Sequence, residues 1–449
     1  MKIGTVMLSD VILPSVDRSS GAGHRIRRVD VCAMPPKRAR ETAQSVAQDS
    51  RVDQDLRCKI PVALIVKLGG AAITIKDGRE NLDEKTLDAC VASIAAVHEH
   101  ECKLQAEKPD YVRKGIVVVH GAGSYGHGVA KDFLVAEGTR AAMRDNRQLG
   151  VGLAKTRLSV TKLNHIVTSK LVEKGIAAVG MSPFGAWSTS GKTMISAGIK
   201  AVNEALAAGL VPVVHGDAVL DEQQGCCILS GDTIMEELCG YVKCDRVVFL
   251  TNTLGVFDRP PEDHYKLWRG EGSRPPLDFP NEEWEEATKL LIEIVTFKRN
   301  HQNSISWVVR NTGSSLTGLF DDSQEMEGSY QRIIGEGEKG ISMAEIETST
   351  SANDVTGGIN TKIESAVSIA HYRDVSVYIA AAGTRHGDAA IRGKVLTKGG
   401  PDANDLTIEE LDGYQWFGTF IRKAQPGEPD YVRPIVTARK CLTRLDDRL

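Results

Sequence analysis

The residues best suited to chemistry stand at the ends of apolar runs. His120-Gly121-Ala122-Gly123-Ser124-Tyr125-Gly126-His127 follows Ile116-Val117-Val118-Val119, which reads as a buried strand of a parallel sheet. Glycines placed directly after a strand permit a tight turn. They also let backbone N–H groups approach a phosphate without interference from a Cβ. Gly128 to Ala136 has helix-like composition, so the loop is expected to end at a helix N-terminus with its partial positive charge. His127 then stands where a phosphate would sit. The economical reading is an anion site.

The same residues match G-x-G-x-x-G, the dinucleotide fingerprint, which needs a second strand ending in Asp or Glu about 20 residues on. Here Arg140 to Leu171 is polar, rich in Arg and Lys, and helical in pattern. The context for a dinucleotide is missing, and the anion reading is preferred.

Lys67 is the second feature. It lies inside the apolar end of the strand Ile60–Leu68, just before Gly69-Gly70. An unpaired ammonium there is costly. Either it snorkels or pairs at the strand terminus, or the sheet holds it pointing at phosphates above the glycine turn. Beside the glycine pair the functional reading leads. No Gly-Lys-Ser/Thr completes a Walker A motif. Ile73-Thr74-Ile75-Lys76 reads as a short hairpin arm bringing a second lysine to the same place.

Further along come two Gly-Asp pairs, His215-Gly216-Asp217 at a strand end and Ser230-Gly231-Asp232-Thr233 at a helix start. Asp232 reads either as the N-cap of a helix Thr233–Tyr241 or as a carboxylate orienting nearby lysines. Strand Val247–Thr251 leads into Asn252-Thr253-Leu254-Gly255-Val256-Phe257, at the sheet edge where ligands collect in open α/β folds. In Asp354-Val-Thr-Gly-Gly-Ile-Asn-Thr-Lys362 a helix is expected near Gly357, capped by Asp354 or Thr356. Lys362 would then lie close to a terminus that disfavours a cation by about 0.3–1 kcal/mol. A bound anion reverses that sign.

The elements needed to position these residues are legible between them. Leu82 to about Leu104 has helical spacing with Asp83-Glu84 in its first turn, giving a right-handed β-α-β crossover to the strand before His120. Met143 to Glu173 reads as a long helical tract in two pieces. Gly175–Val179 and Val211–His215 read as parallel strands, with a helix through Asn203–Ala208 between them. Val375–Ile379 and a segment at Gly418-Thr419 close the domain. The fold class is α/β, a central and mostly parallel sheet between helices.

Residues 1–58 are polar, with basic clusters, and read as a disordered extension whose functional start is either Met1 or Met34. The domain is expected over residues 59–424, divided at residue 240. Within it, 259–351 reads as a partly ordered insertion, with Lys289–Ile294 and Ile305–Val309 forming an arm of helix and strand. Residues 425–449 read as a polar tail. The net charge of −4 over 449 residues implies no bulk attraction to nucleic acid or anionic membrane. The 9 cysteines show no metal-ligand spacing and suit reduced thiols in a cytosol-like compartment, although a targeting role for the N-terminal extension stays open. No apolar run reaches the roughly 18 residues of a membrane span.

Taken together, Lys67-Leu-Gly-Gly, His120-Gly-Ala-Gly-Ser-Tyr-Gly-His127, His215-Gly-Asp, Ser230-Gly-Asp232 and the Asp354–Lys362 motif resemble the amino acid kinase superfamily. Within it they resemble the isopentenyl phosphate kinases. Leu250-Thr-Asn-Thr-Leu-Gly-Val-Phe-Asp-Arg-Pro-Pro261 suggests the eukaryotic branch. The resemblance spans roughly Ile60 to Ala424. It implies a three-layer α/β/α fold, with a substrate-binding lobe over residues 59–240 and a nucleotide-binding lobe over 241–424. It also implies ATP- and Mg²⁺-dependent phosphorylation of isopentenyl phosphate to isopentenyl diphosphate, by an enzyme with no dedicated protein metal site.

Carried over by position, Lys67 and Lys362 would neutralise the transferring phosphoryl group, Lys76 would assist on its far side, and Asp232 would hold the lysines. His127 would donate to the substrate phosphate, beside Gly121 and the amides of Ala122 and Gly231. Gly69, Gly70, Ala71 and Gly123 would face ATP phosphates, with Thr251, Asn252, Phe257 and Gly358 nearer the nucleoside. Ala71, Ala122 and Asn252 depart from residues common in the family, which are Ser, Gly and Asp. Val129, Phe133, Met181 and Phe184 are expected to line a prenyl pocket. A homodimer is the expected assembly. The alternatives are a fosfomycin-like kinase of the same superfamily and a non-catalytic nucleotide-sensing module. The latter predicts loss of a lysine or of Asp232, and all are present.

Overall fold

A computed structural model describes residues 57–75, 78–139, 143–256, 290–298, 305–313, 358–395, 416 and 418–424. The apolar runs become the strands of one nine-stranded sheet. Its centre is β1 (Val62–Leu68), flanked in parallel by β2 (Gly115–His120) and β9 (Cys244–Thr251). Outward from β2 lie β6 (Val211–His215) and β3 (Ala178–Met181), both parallel. On the other side β12 (Ser376–Ala381) runs parallel to β9 and pairs antiparallel with β13 (Thr419–Lys423). The edge is completed by β10 (Leu290–Lys298) and β11 (Ile305–Gly313), an antiparallel pair that joins β13 through β10.

Side chains of successive strand residues alternate between faces, so these strands must be apolar on both. On one face Val117, Val119, Val247, Phe249, Val377 and Ile379 pack with α5 (Ile199–Ala207), α6 (Gly231–Tyr241) and α7 (Gly358–Arg373). On the other, Val118, Val248 and Leu250 pack with α2 (Glu84–Glu107), α4 (Arg147–Glu173) and α8 (Arg385–Arg392). The expected α/β/α layering is therefore observed. A four-stranded sheet of β4 (Ser188–Ser190), β5 (Thr193–Ser196), β7 (Asp217–Asp221) and β8 (Gly225–Leu229) extends from β6.

Several local expectations change. The tract from Met143 is in two pieces as expected, but very unequal ones, a 3₁₀ turn (Met143–Asp145) and a 27-residue helix, α4, capped by Asn146, whose side chain accepts from Leu149 N–H. Val160, Leu163, Val167 and Leu171 give it one continuous buried stripe, which needs no break. β3 begins three residues later than read, because Gly175 takes a left-handed turn (φ 78°) that ends the preceding helix. Of the expected helix Lys289–Ile294, the described part from Leu290 is not helical. Leu290–Lys298 is a strand, its Ile294 and Val295 buried in the sheet. Ile73 belongs to the helical turn α1 (Gly70–Ile73), and among the described residues Thr74 and Ile75 pair with the returning Asn81–Leu82. Lys76, Phe257, the caps Asp354 and Thr356, most of the 1–58 extension and the 425–449 tail lie outside the described residues.

The turn after β1 and the turn after β2 lie back to back. A Cβ on Gly70 would come 2.3 Å from the Gly123 nitrogen, and one on Gly121 would come 2.7 Å from the Gly70 nitrogen. Gly78, by contrast, has φ 94° but open space around it. Gly70→Ala is therefore expected to lower unfolding free energy by the 1–3 kcal/mol or more of an overpacked site, roughly, and Gly78→Ala by only about 1–2 kcal/mol of backbone strain. Urea denaturation of the two variants distinguishes these. Equal losses would show that backbone conformation, not close approach, dictates glycine here.

Candidate active site

In-register parallel pairing places Leu68 beside His120 and Leu250, His120 beside His215, and Leu250 beside Ala380. The turns that follow these strands emerge side by side at the carboxyl edge of the sheet, where ligands bind in such folds. Lys67 precedes that edge by one residue. Its register partners are Val119 and Phe249, both on the face covered by α6 and α7, so the alternation directs the lysine towards those helices.

Both helices meet it near their N-termini. Lys67 Nζ lies 2.6 Å from Asp232 Oδ1, and Lys362 Nζ lies 3.9 Å from the same oxygen. Lys67 and Asp232 are buried. Burial acts to raise the Asp232 pKa, but the charges of Lys362 and Lys67 and the Lys67 hydrogen bond outweigh it and hold the carboxyl below 3.8. Asp232 is not the helix cap. Ser230 is, accepting from Thr233 N–H at 3.1 Å, which leaves the Asp232 carboxylate to the lysines. One turn further along α6, Glu236 accepts from Ser365 Oγ (3.3 Å) and Ser368 Oγ (2.5 Å) of α7. These bonds fasten α7 against α6 and set Lys362 over Asp232.

Gly231 starts α6 at the same place, where an added Cβ would lie 3.0 Å from Lys67 Cε and 3.5 Å from His120 O. The back-to-back turns of Gly69-Gly70 and Gly121-Ala122-Gly123 adjoin it through the β1–β2 pairing. Ala71 is exposed at the start of α1. His127 is half-buried and begins α3 (His127–Asp132), with Gly126 as its N-cap residue. Thr251 ends β9, one strand over from Lys67, with Asn252 the first residue of the turn beyond it, and Gly358 opens α7. Of the expected prenyl lining, Phe133 and Phe184 pack against one small cluster containing Ala130, Leu153 and Ala218, and Val129 is half-buried in α3 nearby. Met181 packs instead against the main core under α5.

Three partners were not singled out by the sequence reading. Asn164 donates from Nδ2 to His120 Nε2 (3.2 Å) and to Val213 O (3.0 Å). Its signal was a polar residue inside the apolar stripe of α4. Arg157 and Ser182 both bond Asp217 Oδ2, at 3.3 and 2.9 Å, and Arg157 also stacks over Phe184 at 4.1 Å. Among the described residues no group of three or more His, Cys, Asp or Glu side chains is arranged to hold a metal ion, and no helix is long and apolar enough to cross a membrane. Asp232 is committed to two lysines.

Residues 63–267 match the model of the amino acid kinase family. An isopentenyl phosphate kinase from Arabidopsis thaliana is 32% identical over 390 residues, an alignment that covers 80% of this chain and 96% of the relative. The chain belongs to the isopentenyl phosphate kinase family. An isopentenyl phosphate kinase from Methanothermobacter thermautotrophicus is 31% identical over 204 residues, covering 45% of this chain and 71% of its own. Among solved structures, X-ray structures of isopentenyl phosphate kinase include a chain covered to 99%, across 80% of this one, at 21% identity and a TM-score of 0.47.

In the family setting Asp232 holds together two cations that would otherwise repel each other. Asp232→Asn is expected to destabilise the fold by about 3–5 kcal/mol at pH 7, the usual cost of breaking a buried pair from one side. Because the folded carboxyl titrates below 3.8, its contribution is complete above the unfolded value of about 3.9. It fades as pH falls through the lower folded value. Denaturant unfolding of wild type and variant from pH 7 to 2 checks this. The gap should be constant down to about pH 5 and then close. A gap that widens towards acid would contradict the ion-pair assignment.

Proposed function

We propose that the chain transfers the terminal phosphoryl group of ATP to the phosphate of isopentenyl phosphate, giving isopentenyl diphosphate and ADP. The observation that carries this reading is the convergence of Lys67 and Lys362 on one buried carboxylate beside the paired glycine turns. The bond from the γ-phosphorus to its bridging oxygen breaks, and a new bond forms to an oxygen of the acceptor phosphate. An acceptor that is already a dianion has no proton to lose. The site therefore needs positioning and charge neutralisation, not a general base.

Lys67 and Lys362 supply positive charge at the transferring group, and Asp232 fixes their ammonium groups without a general-base role. His127 donates to the acceptor phosphate, with the amides of Ala122 and Gly231 and the N-terminus of α6 beside it. Gly69, Gly70, Ala71 and Gly123 border the ATP phosphates, and Thr251, Asn252 and Gly358 lie on the nucleoside side. Lys76 and Phe257 keep their proposed roles on sequence grounds. Mg²⁺ on the nucleotide phosphates supplies further charge neutralisation. Residues 59–240 then act as the substrate lobe and 241–424 as the nucleotide lobe. Phe133, Phe184 and Val129 offer apolar surface to the prenyl tail.

A homodimer is proposed with this reading. Val151, Leu158 and Val172 stand seven and then fourteen residues apart on α4 and are 40%, 72% and 52% exposed, apolar positions on one side of the helix suited to a second copy of the same chain. A cytoplasmic location is proposed from the described cysteines, all free thiols.

An ATP-coupled assay with isopentenyl phosphate, dimethylallyl phosphate and fosfomycin side by side tests the substrate assignment. The first is expected to give the highest kcat/KM, and a preference for fosfomycin would overturn the reading. His127→Ala should raise KM for isopentenyl phosphate and lower kcat while leaving KM for ATP nearly unchanged, since a hydrogen bond to a charged acceptor is roughly twice as strong as a neutral one. His127→Gln keeps a donor and should retain more activity. Wild-type kinetics in both variants would remove His127 from the substrate site.

A further inference from the structure

The reaction proposed above makes no use of two buried histidines at the carboxyl edge. His120 ends β2 and His215 ends β6, both wholly shielded from solvent, with rings stacked at 5.5 Å and 23° apart in plane. Their hydrogen bonds repeat on the two strands. His120 Nδ1 lies 2.9 Å from Gly121 O, and His215 Nδ1 lies 3.0 Å from Gly216 O. A carbonyl oxygen only accepts, so each Nδ1 carries the proton. His120 Nε2 is then an acceptor, and Asn164 Nδ2 donates to it at 3.2 Å. Asn164 gives its other N–H to Val213 O, so its amide orientation is determined as well. Burial, with the neighbouring His215 adding to it, lowers the His120 pKa to about 3, and the ring stays neutral in this one tautomer across the physiological range.

The bonded oxygen matters because of the peptide to which it belongs. Gly121 C=O and Ala122 N–H are the two ends of one planar peptide unit, and no cis peptide bond occurs among the described residues. In a trans peptide those two groups point in opposite directions. His120 lies on the sheet face that carries α4, on the same side as Val118. Holding Gly121 C=O towards that face turns Ala122 N–H to the other one, where Lys67, Asp232 and the start of α6 meet. Ala122 N–H donates to no acceptor among the described residues. Gly121 has no side chain to resist this rotation, and the Gly70 turn packed against it leaves room for none.

We propose that His120 is a positioning residue for the acceptor phosphate, its Nδ1–H locking the Gly121–Ala122 peptide so that the Ala122 amide faces the anion. This deepens the reading given under Proposed function and rests on it for the identity of the acceptor. Asn164 holds the tautomer. His215 forms the flat wall behind the ring and holds the Gly216–Asp217 peptide in the same sense on the next strand.

The test compares replacements that separate the donor from the ring. Asn places an amide N–H near the Nδ1 position, whereas Phe keeps volume and stacking without a donor. His120→Phe is expected to raise KM for isopentenyl phosphate about tenfold or more, the effect of one lost hydrogen bond to a charged acceptor, with KM for ATP within twofold. His120→Asn should recover most of the difference. A role in packing alone would reduce the amount of folded enzyme and leave both KM values unchanged. If His120→Phe does not fold, His120→Gln takes its place, since its amide reaches the Nε2 position and not the Nδ1 position.

Amide NMR with inorganic phosphate as probe separates this proposal from the choice of substrate. The Ala122 resonance should shift on titration in wild type and His120→Asn but not in His120→Phe. Wild type inert towards isopentenyl phosphate would overturn the substrate reading, and the phosphate titration would still judge His120. An unchanged acceptor KM in folded His120→Phe, or an Ala122 resonance that responds equally in all three proteins, overturns the proposal.

Discussion

The ion triplet of Lys67, Asp232 and Lys362 is the interaction on which the rest of this architecture depends. Two ammonium groups are brought to one oxygen inside a largely desolvated site, at 2.6 and 3.9 Å. Without the carboxylate the lysines would repel each other, and without the lysines a buried carboxylate would be protonated. The surrounding fold keeps this arrangement in place. Lys67 is directed by the pleat of a strand with parallel neighbours on both sides, Asp232 by a helix whose cap is supplied by Ser230, and Lys362 by serine bonds to Glu236. Net positive charge therefore remains at a point fixed by three separate elements. Such preorganised charge is the form of catalysis that phosphoryl transfer uses most.

Around that point the sheet edge presents backbone in place of side chains. The turns after β1 and β2 approach so closely that a methyl group on Gly70 would meet the Gly123 nitrogen at 2.3 Å. Gly69 and Gly121 give their N–H groups to Leu250 O and Leu68 O, which pins both turns to the strands beside them. The peptides themselves are oriented from behind the sheet by uncharged, fully buried histidines. Charge on one face and neutral hydrogen bonding on the other divide the work between stabilising the anion and aiming the groups that meet it.

Much of this was legible in the sequence because strand ends and glycine turns carry strong local signals. Lys67 before Gly69-Gly70, and His120 to His127 after a valine run, mark the candidate site by type and spacing alone. The role of Asp232 was not decidable in that way. Ser230, Asp232 and Thr233 are all plausible at a helix start, and only the approach of Lys67 and Lys362 from distant segments distinguishes a cap from a counter-ion. Lys289–Ile294 was ambiguous for a different reason, since a short apolar run fits a buried strand and a helix segment equally well. Asn164 was hidden because helical periodicity records which residues are buried but not what a buried amide bonds to. The edge pair β10 and β11 joins the sheet through the pairing of β10 with β13, more than a hundred residues away in sequence, a relation no local pattern encodes.

The central claim is that the two lysines act on the transferring phosphoryl group and not only on substrate binding. Single-turnover rapid-quench measurement of phosphoryl transfer to isopentenyl phosphate in Lys67→Met and Lys362→Met, with both substrates saturating, tests it most directly. The chemical step is predicted to slow by about 10²–10³ in each variant, as for the loss of one preorganised charge donor, with substrate dissociation constants changed far less. A chemical step at the wild-type rate, with only weakened binding, would contradict the account.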